Sequence, residues 1–135
     1  EGQNVTVDTG NLVITAAAKG IMHIGSGTVT QGTSHSTAVS AINATSGVIT
    51  LYNVALAAAA EADFQVPNST VQAEAVILLT VQSPAAASAT DNASLHAELD
   101  DVSDGSFNIR LTNPGAGNTA GTYKIHFLVI NPALS

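Results

Sequence analysis

The sequence contains no cysteine and no tryptophan. Without thiols no disulfide can staple the fold, and no thiolate is available as nucleophile or metal ligand; the redox compartment stays open. Basic residues are scarce: Lys19, Arg110 and Lys124 stand against ten acids, for a net charge of −7. Nucleic-acid binding needs clustered Lys and Arg against phosphate, so that partner is not expected. No apolar run approaches the length of about 18 residues that a transmembrane helix needs. Ala75–Leu79 is a strand-sized stretch, and no signal-peptide pattern is visible, so no membrane partner is expected either. Charged residues make up 10% of the chain, far below the roughly 25% of soluble domains. Thr, Ser, Asn and Ala must therefore cover the surface. That fits a secreted or particle-bound β domain, or a subunit that hides much of its surface in an assembly.

What is abundant is Val, Ile and Thr, the β-branched residues that suit a pleated, half-buried surface. The 135 residues suffice for one domain with a core. With no linker-like stretch, one domain over 1–135 is expected, and the sparsely charged segment Glu1–Thr15 is a candidate docking arm. Residues 4–15 read as two short strands around the turn 8–11, and Ile21–Ile24 and Thr28–Gln31 as short extended pieces. Thr37–Ile42 and Val48–Tyr52 flank the turn formers 43–47 and predict a hairpin. The run Val54–Ala60, VALAAAA, has high helix propensity but is too short to stand as a helix. It is expected to be a connection with at most one helical turn, because a period-two pattern (Ala62, Phe64, Val66) follows at once. Glu74–Gln82, EAVILLTVQ, reads as a central strand buried on both faces. Ser94–Val102 and Phe107–Leu111 alternate around the turn Ser103-Asp104-Gly105. Asn113–Gly121 reads as a flexible loop. Thr122–Ile130 places Tyr123, Ile125, Phe127 and Val129 on one face, with Lys124 and His126 on the other. Strands recurring every 8–12 residues or so predict an all-β fold, a single antiparallel β-sandwich of jelly-roll or Ig-like type.

Three stretches carry a family resemblance: GNLVITAAAKGI (10–21), TVTQGTSHSTAVSAINATSGVITLYNVALAAAAEADFQVPNS (28–69), and VILLTVQSP (76–84) with GSFNIRLTNPGAGNTAGTYKIHFLVINP (105–132). They resemble a small β module of tailed-bacteriophage virions, found in head-decoration (cement) proteins and in tail-fibre-like chains. The chain departs from the module at Ser40–Asn43, which holds one extra residue, and at the alanines 57–60, where the module carries a glycine. The resemblance implies a homotrimer seated on a capsid or fibre axis and no catalytic residues.

The residues give little chemistry of their own. Asp100–Gly105 has the acids and glycine of a calcium loop. Its third and twelfth positions, Val102 and Leu111, fail that motif, and a plain turn is expected. His96, Glu98 and Asp100 share a strand face at i, i+2, i+4 and could ligate a metal around a threefold axis; a polar face is the expected reading. Ser34-His35-Ser36 reads as a polar strand edge rather than a nucleophile and its base, because neighbours on a strand point apart. His23 and His126 read as hydrogen-bonded, half-buried residues. Tyr52 and Tyr123 are the two tyrosines able to stack on a sugar. The four sequons at Asn4, Asn43, Asn68 and Asn92 are expected from chance in so Asn- and Ser/Thr-rich a chain.

No catalytic, cofactor-binding or metal-ligating residue is therefore assigned, and no cofactor or enzymatic activity is expected. The function expected is that of a non-catalytic virion structural protein: a decoration (cement) subunit on the outer capsid surface that stabilises the head. Its partner is then the major capsid protein or another virion protein. The alternative is a tail-fibre or receptor-binding module that recognises the host surface.

Overall fold

A computed structural model describes residues 26–84 and 95–132. The expectations for 4–15, for 21–24 and for His23 lie outside the described residues, as do those for Asn4 and Asn92. Seven strands form: β1 (Gly27–Thr30), β2 (Ser46–Thr50), β3 (Glu61–Pro67), β4 (Val76–Gln82), β5 (His96–Ser103), β6 (Ser106–Thr112) and β7 (Lys124–Ile130). They make two packed sheets, β1-β2-β7-β4 (sheet A) and β3-β6-β5 (sheet B). The described fold is an all-β sandwich with no helix.

Period-two patterning builds the core. Sheet A turns Ile49, Ile77, Ile125, Phe127 and Val129 inward, and sheet B answers with Phe64, Val66, Phe107, Ile109 and Leu111. Phe107 and Phe127 meet across the layers with ring centroids 5.4 Å apart at 60°, a favourable tilted geometry. Each such side chain contributes about 1.5–3 kcal/mol on burial. β5 and β6 pair from His96↔Thr112 to Ser103↔Ser106. The Asp104-Gly105 turn joins them, with Gly105 in the left-handed region at φ 82°, where a Cβ would be strained.

Four expectations need correction. The sandwich is not wholly antiparallel, because β1 and β2 run parallel. That pairing requires a crossover, and residues 31–45 supply it. Thr37–Ile42 is consequently no strand of a hairpin. It passes along β3, where the Val39 and Ile42 amides donate to the carbonyls of Gln65 (3.1 Å) and Pro67 (3.0 Å), and β2 begins inside the expected turn.

Second, β4 is an edge strand of sheet A, not a central one. Ile77 is buried but Val76 and Leu78 face outward, 56% and 52% exposed.

Third, Asn113–Gly121 is not a free loop. Asn113 and Thr119 are buried, and both are tied to the alanine segment. Asn113 Nδ2 donates to the carbonyls of Leu56 (3.0 Å), Ala57 (2.9 Å) and Gly117 (2.9 Å). Thr119 Oγ1 accepts from the Leu56 amide at 2.8 Å. Fourth, Ser34–Thr37 is a turn rather than a strand edge, closed by the Thr37 amide donating to the Ser34 carbonyl at 3.2 Å.

The alanine segment forms no helix. Leu56 anchors it in the core at 7% exposure. Ala58-Ala59 turn the chain, with the Ala60 amide donating to the Ala57 carbonyl at 3.2 Å. Ala59 sits at φ 55°. Backbone bonds to the 113–119 loop replace those a helix would have made, so tertiary context overrides local propensity.

Candidate interaction surfaces

The loops that frame the sandwich are held by carboxamides placed directly after strands. Gln31 follows β1, Asn68 follows β3, Asn113 follows β6 and Asn131 follows β7. Gln31 Nε2 donates to the carbonyls of His35 (2.9 Å) and Thr37 (3.0 Å), while its Oε1 accepts from the Tyr52 amide (3.2 Å). Asn68 Nδ2 donates to the Ala44 carbonyl (2.8 Å), and its Oδ1 accepts from the Thr70 amide and hydroxyl. Asn131 Nδ2 donates to the Thr70 carbonyl (2.7 Å) and its Oδ1 accepts from the Gln72 amide (3.2 Å). An amide both donates and accepts, so one side chain can satisfy several loop groups that lose the ladder where a strand ends. Sequence reasoning passed over these residues. The available signal was an asparagine directly after three of the alternating runs, Asn68 after Val66-Pro67, Asn113 after Leu111-Thr112 and Asn131 after Val129-Ile130. Burial of Asn68, 1% exposed, also removes that sequon as a modification site in the folded chain, whereas Asn43 is exposed.

The two outer faces of the sandwich differ in charge. On sheet B, Arg110 of β6 faces Asp63 of β3 and Glu98 of β5, its register partners on either side. Its Nε donates to Asp63 Oδ1 at 3.1 Å, Nη2 lies 2.6 Å from Asp100 Oδ1, and Nη1 lies 3.9 Å from Glu98 Oε1. A register shift between Leu99 and Asp101 places Asp100 in a β-bulge, which turns an extra carboxylate to the guanidinium. The hydrogen bond to Asp63, then the charges of Asp100 and Asp63, raise the Arg110 pKa above its ordinary value. Glu61 and Asp101 add to the acidic character of these strands.

The metal candidates therefore resolve differently from their spacing. His96, Glu98 and Asp100 share the outer face, but Glu98 and Asp100 face Arg110. Among the described residues no group of three or more His, Asp or Glu is placed to hold a metal. Asp100–Gly105 is bulge, strand end and turn. Ser103 Oγ donates to Asp101 Oδ2 (3.1 Å), and Asp104 Oδ1 accepts from the Ala73 amide (2.9 Å).

The outer face of sheet A is graded instead. Register pairs place Thr30, Thr50, Lys124 and Gln82 in one row across it, then Thr28, Val48, His126 and Thr80. Ser46, Leu128 and Leu78 follow, and Ile130 with Val76 closes the far end. Val76, Leu78 and Ile130 are each more than half exposed. None of these outward positions is a carboxylate. His126 is exposed rather than half-buried, and its Nε2 lies 2.8 Å from Gln82 Oε1.

Beyond the polar end of this face lies an open hollow of about 380 Å³, lined among others by Gln31, Thr50, Tyr52, Asn53 and Thr122. The His35 ring meets Tyr52 edge-on, centroids 5.9 Å apart at 75°. Partial burial lowers the His35 pKa, opposed by a hydrogen bond with the Tyr52 backbone. Ser34 Oγ is paired with Thr37 Oγ1 at 2.9 Å, and the His35 ring is turned to Tyr52, so the two do not form a nucleophile–base pair. Tyr123 is buried, 4% exposed, and cannot stack on a sugar; Tyr52 keeps that capacity.

Comparison with family models, curated proteins and solved structures gave no match.

Proposed function

We propose that this chain is a non-catalytic structural subunit of a tailed-phage virion: a homotrimeric decoration (cement) protein that sits on the outer capsid surface, contacts the major capsid protein and stabilises the head. The observation that carries the reading is the division of the sandwich into an acidic outer face and a carboxylate-free, partly apolar one. A scaffold with one face suited to contact and one suited to solvent is what a particle-bound subunit needs. The sequence resemblance to virion β modules supports the same reading. The mechanism is mechanical. Several modest contacts made by one oligomer raise its effective affinity for the shell, and rupture of the shell then requires these added interfaces to break as well.

The test is to mix purified protein with mature, undecorated heads and to sediment them. Near-stoichiometric co-sedimentation and a raised temperature of DNA release are expected; protein left in the supernatant would remove the reading. A second reading, a tail-fibre or receptor-binding module, is favoured by the hollow beside Tyr52, whose volume lies in the range of small-ligand sites. It predicts binding to host cells and loss of that binding in Tyr52→Ala.

A further inference from the structure

We infer that the polar end of sheet A carries a binding groove for a carboxylate-bearing saccharide, with Tyr52 as the platform for a sugar ring and Lys124 as the partner of the acid. The inference rests on the second reading above, in which the hollow beside Tyr52 recognises a ligand, and adds the chemical class of that ligand.

Two hollows make the groove. The one beside Tyr52 and a second of about 270 Å³, lined among others by Gln82, Ser83 and Lys124, share Thr122 in their walls. The row Thr30, Thr50, Lys124 and Gln82 crosses four neighbouring strands. With strands about 4.8 Å apart, that row spans about 14 Å, room for a short oligosaccharide. The lining is polar and unspent. Gln31, Asn68, Asn113 and Asn131 commit their carboxamides to loop backbone. In contrast, the side-chain polar groups of Thr30, Thr50, Tyr52, Asn53 and Thr122 make no hydrogen bond to any described residue. Hydroxyls and carboxamides both donate and accept, and so match the hydroxyls of a sugar, which do the same. Tyr52 is half-buried, its ring held edge-on against His35. It offers an apolar body with a polar tip.

Charge narrows the class. Of the two bases among the described residues, Arg110 is answered by three carboxylates, whereas Lys124 is exposed and forms no ion pair with a described residue. No Asp or Glu lines either hollow. Glu74 and Asp104 line a hollow at the other end of β4, about 20 Å away and well beyond the ~8 Å over which salt lets charges act. A single free cation suits a single carboxylate. A phosphate chain needs several clustered bases. A protein partner needs about 800 Å² of cover and a desolvated aromatic or apolar anchor, which a groove of hydroxyls and carboxamides does not supply.

The test is a glycan array of neutral, sialylated and uronic-acid oligosaccharides, exposed to the full chain, followed by titration with the best-retained glycan. Acidic glycans are expected to bind about tenfold or more tighter than neutral ones of the same length, and less so as salt is raised. The sialylated and uronic-acid arms tell which acid is recognised. Lys124→Gln should cost about tenfold or more against the acidic glycan and leave the urea midpoint unchanged. Tyr52→Ala should lose binding to acidic and neutral glycans alike, and Gln65→Asp on sheet B should change neither. If Tyr52→Ala misfolds, the exposed Lys124 gives the answer. An array that retains nothing, retention of neutral glycans alone, or binding that ignores Lys124→Gln overturns the inference. Host-cell binding that Tyr52→Ala abolishes and Lys124→Gln leaves intact would sink this inference and leave the recognition reading standing. Lys124-dependent binding of acidic glycans by a protein that ignores host cells would do the reverse.

Discussion

Gly27 and Gly47 are register partners on the parallel strands β1 and β2, and the side chain of Ile42 occupies the space that their missing Cβ atoms leave. A Cβ on Gly27 would collide with Ile42 Cγ1; one on Gly47 would lie 2.7 Å from Phe127 Cε1 and 2.8 Å from the Gly27 carbonyl oxygen. The crossover thus plugs into the two strands it connects. Gly47→Ala, which meets backbone, should destabilise by about 1–3 kcal/mol. Gly27→Ala and Ile42→Ala should each destabilise, while the double variant costs less than their sum. Urea denaturation of the four proteins measures the coupling; strict additivity would refute the plug.

Ala59 holds a left-handed backbone conformation at φ 55°. That conformation costs an L-residue about 1–2 kcal/mol, part of which glycine returns in unfolded-state entropy. Ala59→Gly should therefore stabilise the protein by about 0.5–1 kcal/mol, a rise in Tm of about 2–4 °C. A fall in Tm would show that the turn is not as described.

Asn113 binds the alanine segment to its own loop through three carbonyls. Asn113→Ala removes a side-chain donor from all three, although the Leu56 and Ala57 carbonyls keep the Thr119 and Ala60 amides, and should cost about 1–3 kcal/mol. Hydrogen exchange should quicken first at the amides of Leu56 and Thr119, which bridge the two loops. Uniform quickening across all strands instead would argue against a local clasp.

Removing Arg110 leaves Asp63, Glu98 and Asp100 to repel one another across three strands. Arg110→Ala should lower Tm at low ionic strength and lose most of that effect in high salt, because exposed charges are screened. A salt-independent loss would point to packing by the side-chain stem instead.

His35 is neutral in the folded chain more readily than in the unfolded one, since burial lowers its pKa below 6.5. The unfolded state then binds more protons as the pH falls through that value, so this residue's contribution to stability is full above it and declines below it. Comparing urea midpoints of the wild type and His35→Gln at pH 7.5 and 5 isolates the effect. The variant should lose less on acidification; an equal loss would refute the assignment.

Period two was legible along most of the chain. The alternations at Ala62–Val66, Phe107–Leu111 and Tyr123–Val129 appear as β3, β6 and β7 with the expected faces inward, because a half-buried strand writes its burial directly into its sequence. The Asp104-Gly105 turn was legible because left-handed backbone calls for glycine. Pairing was not. Residues 37–42 look like a strand because Val39 and Ile42 are buried. They lie instead in the crossover that joins β1 to β2 within sheet A and passes along β3 of sheet B, and an apolar residue does not record which neighbour covers it.

The sequence by itself determined that this chain is sheet-built, without a helix among the described residues, and which side chains of β3, β6 and β7 share a face, since those follow from local spacing. Only the tertiary structure decided that β1 and β2 run parallel, that β4 lies at an edge with Val76 and Leu78 in water, and that two Gly- and Ala-rich loops clasp each other through Asn113. These are relations between distant segments, set by which backbone groups find partners, and a single strand's pattern carries no information about them.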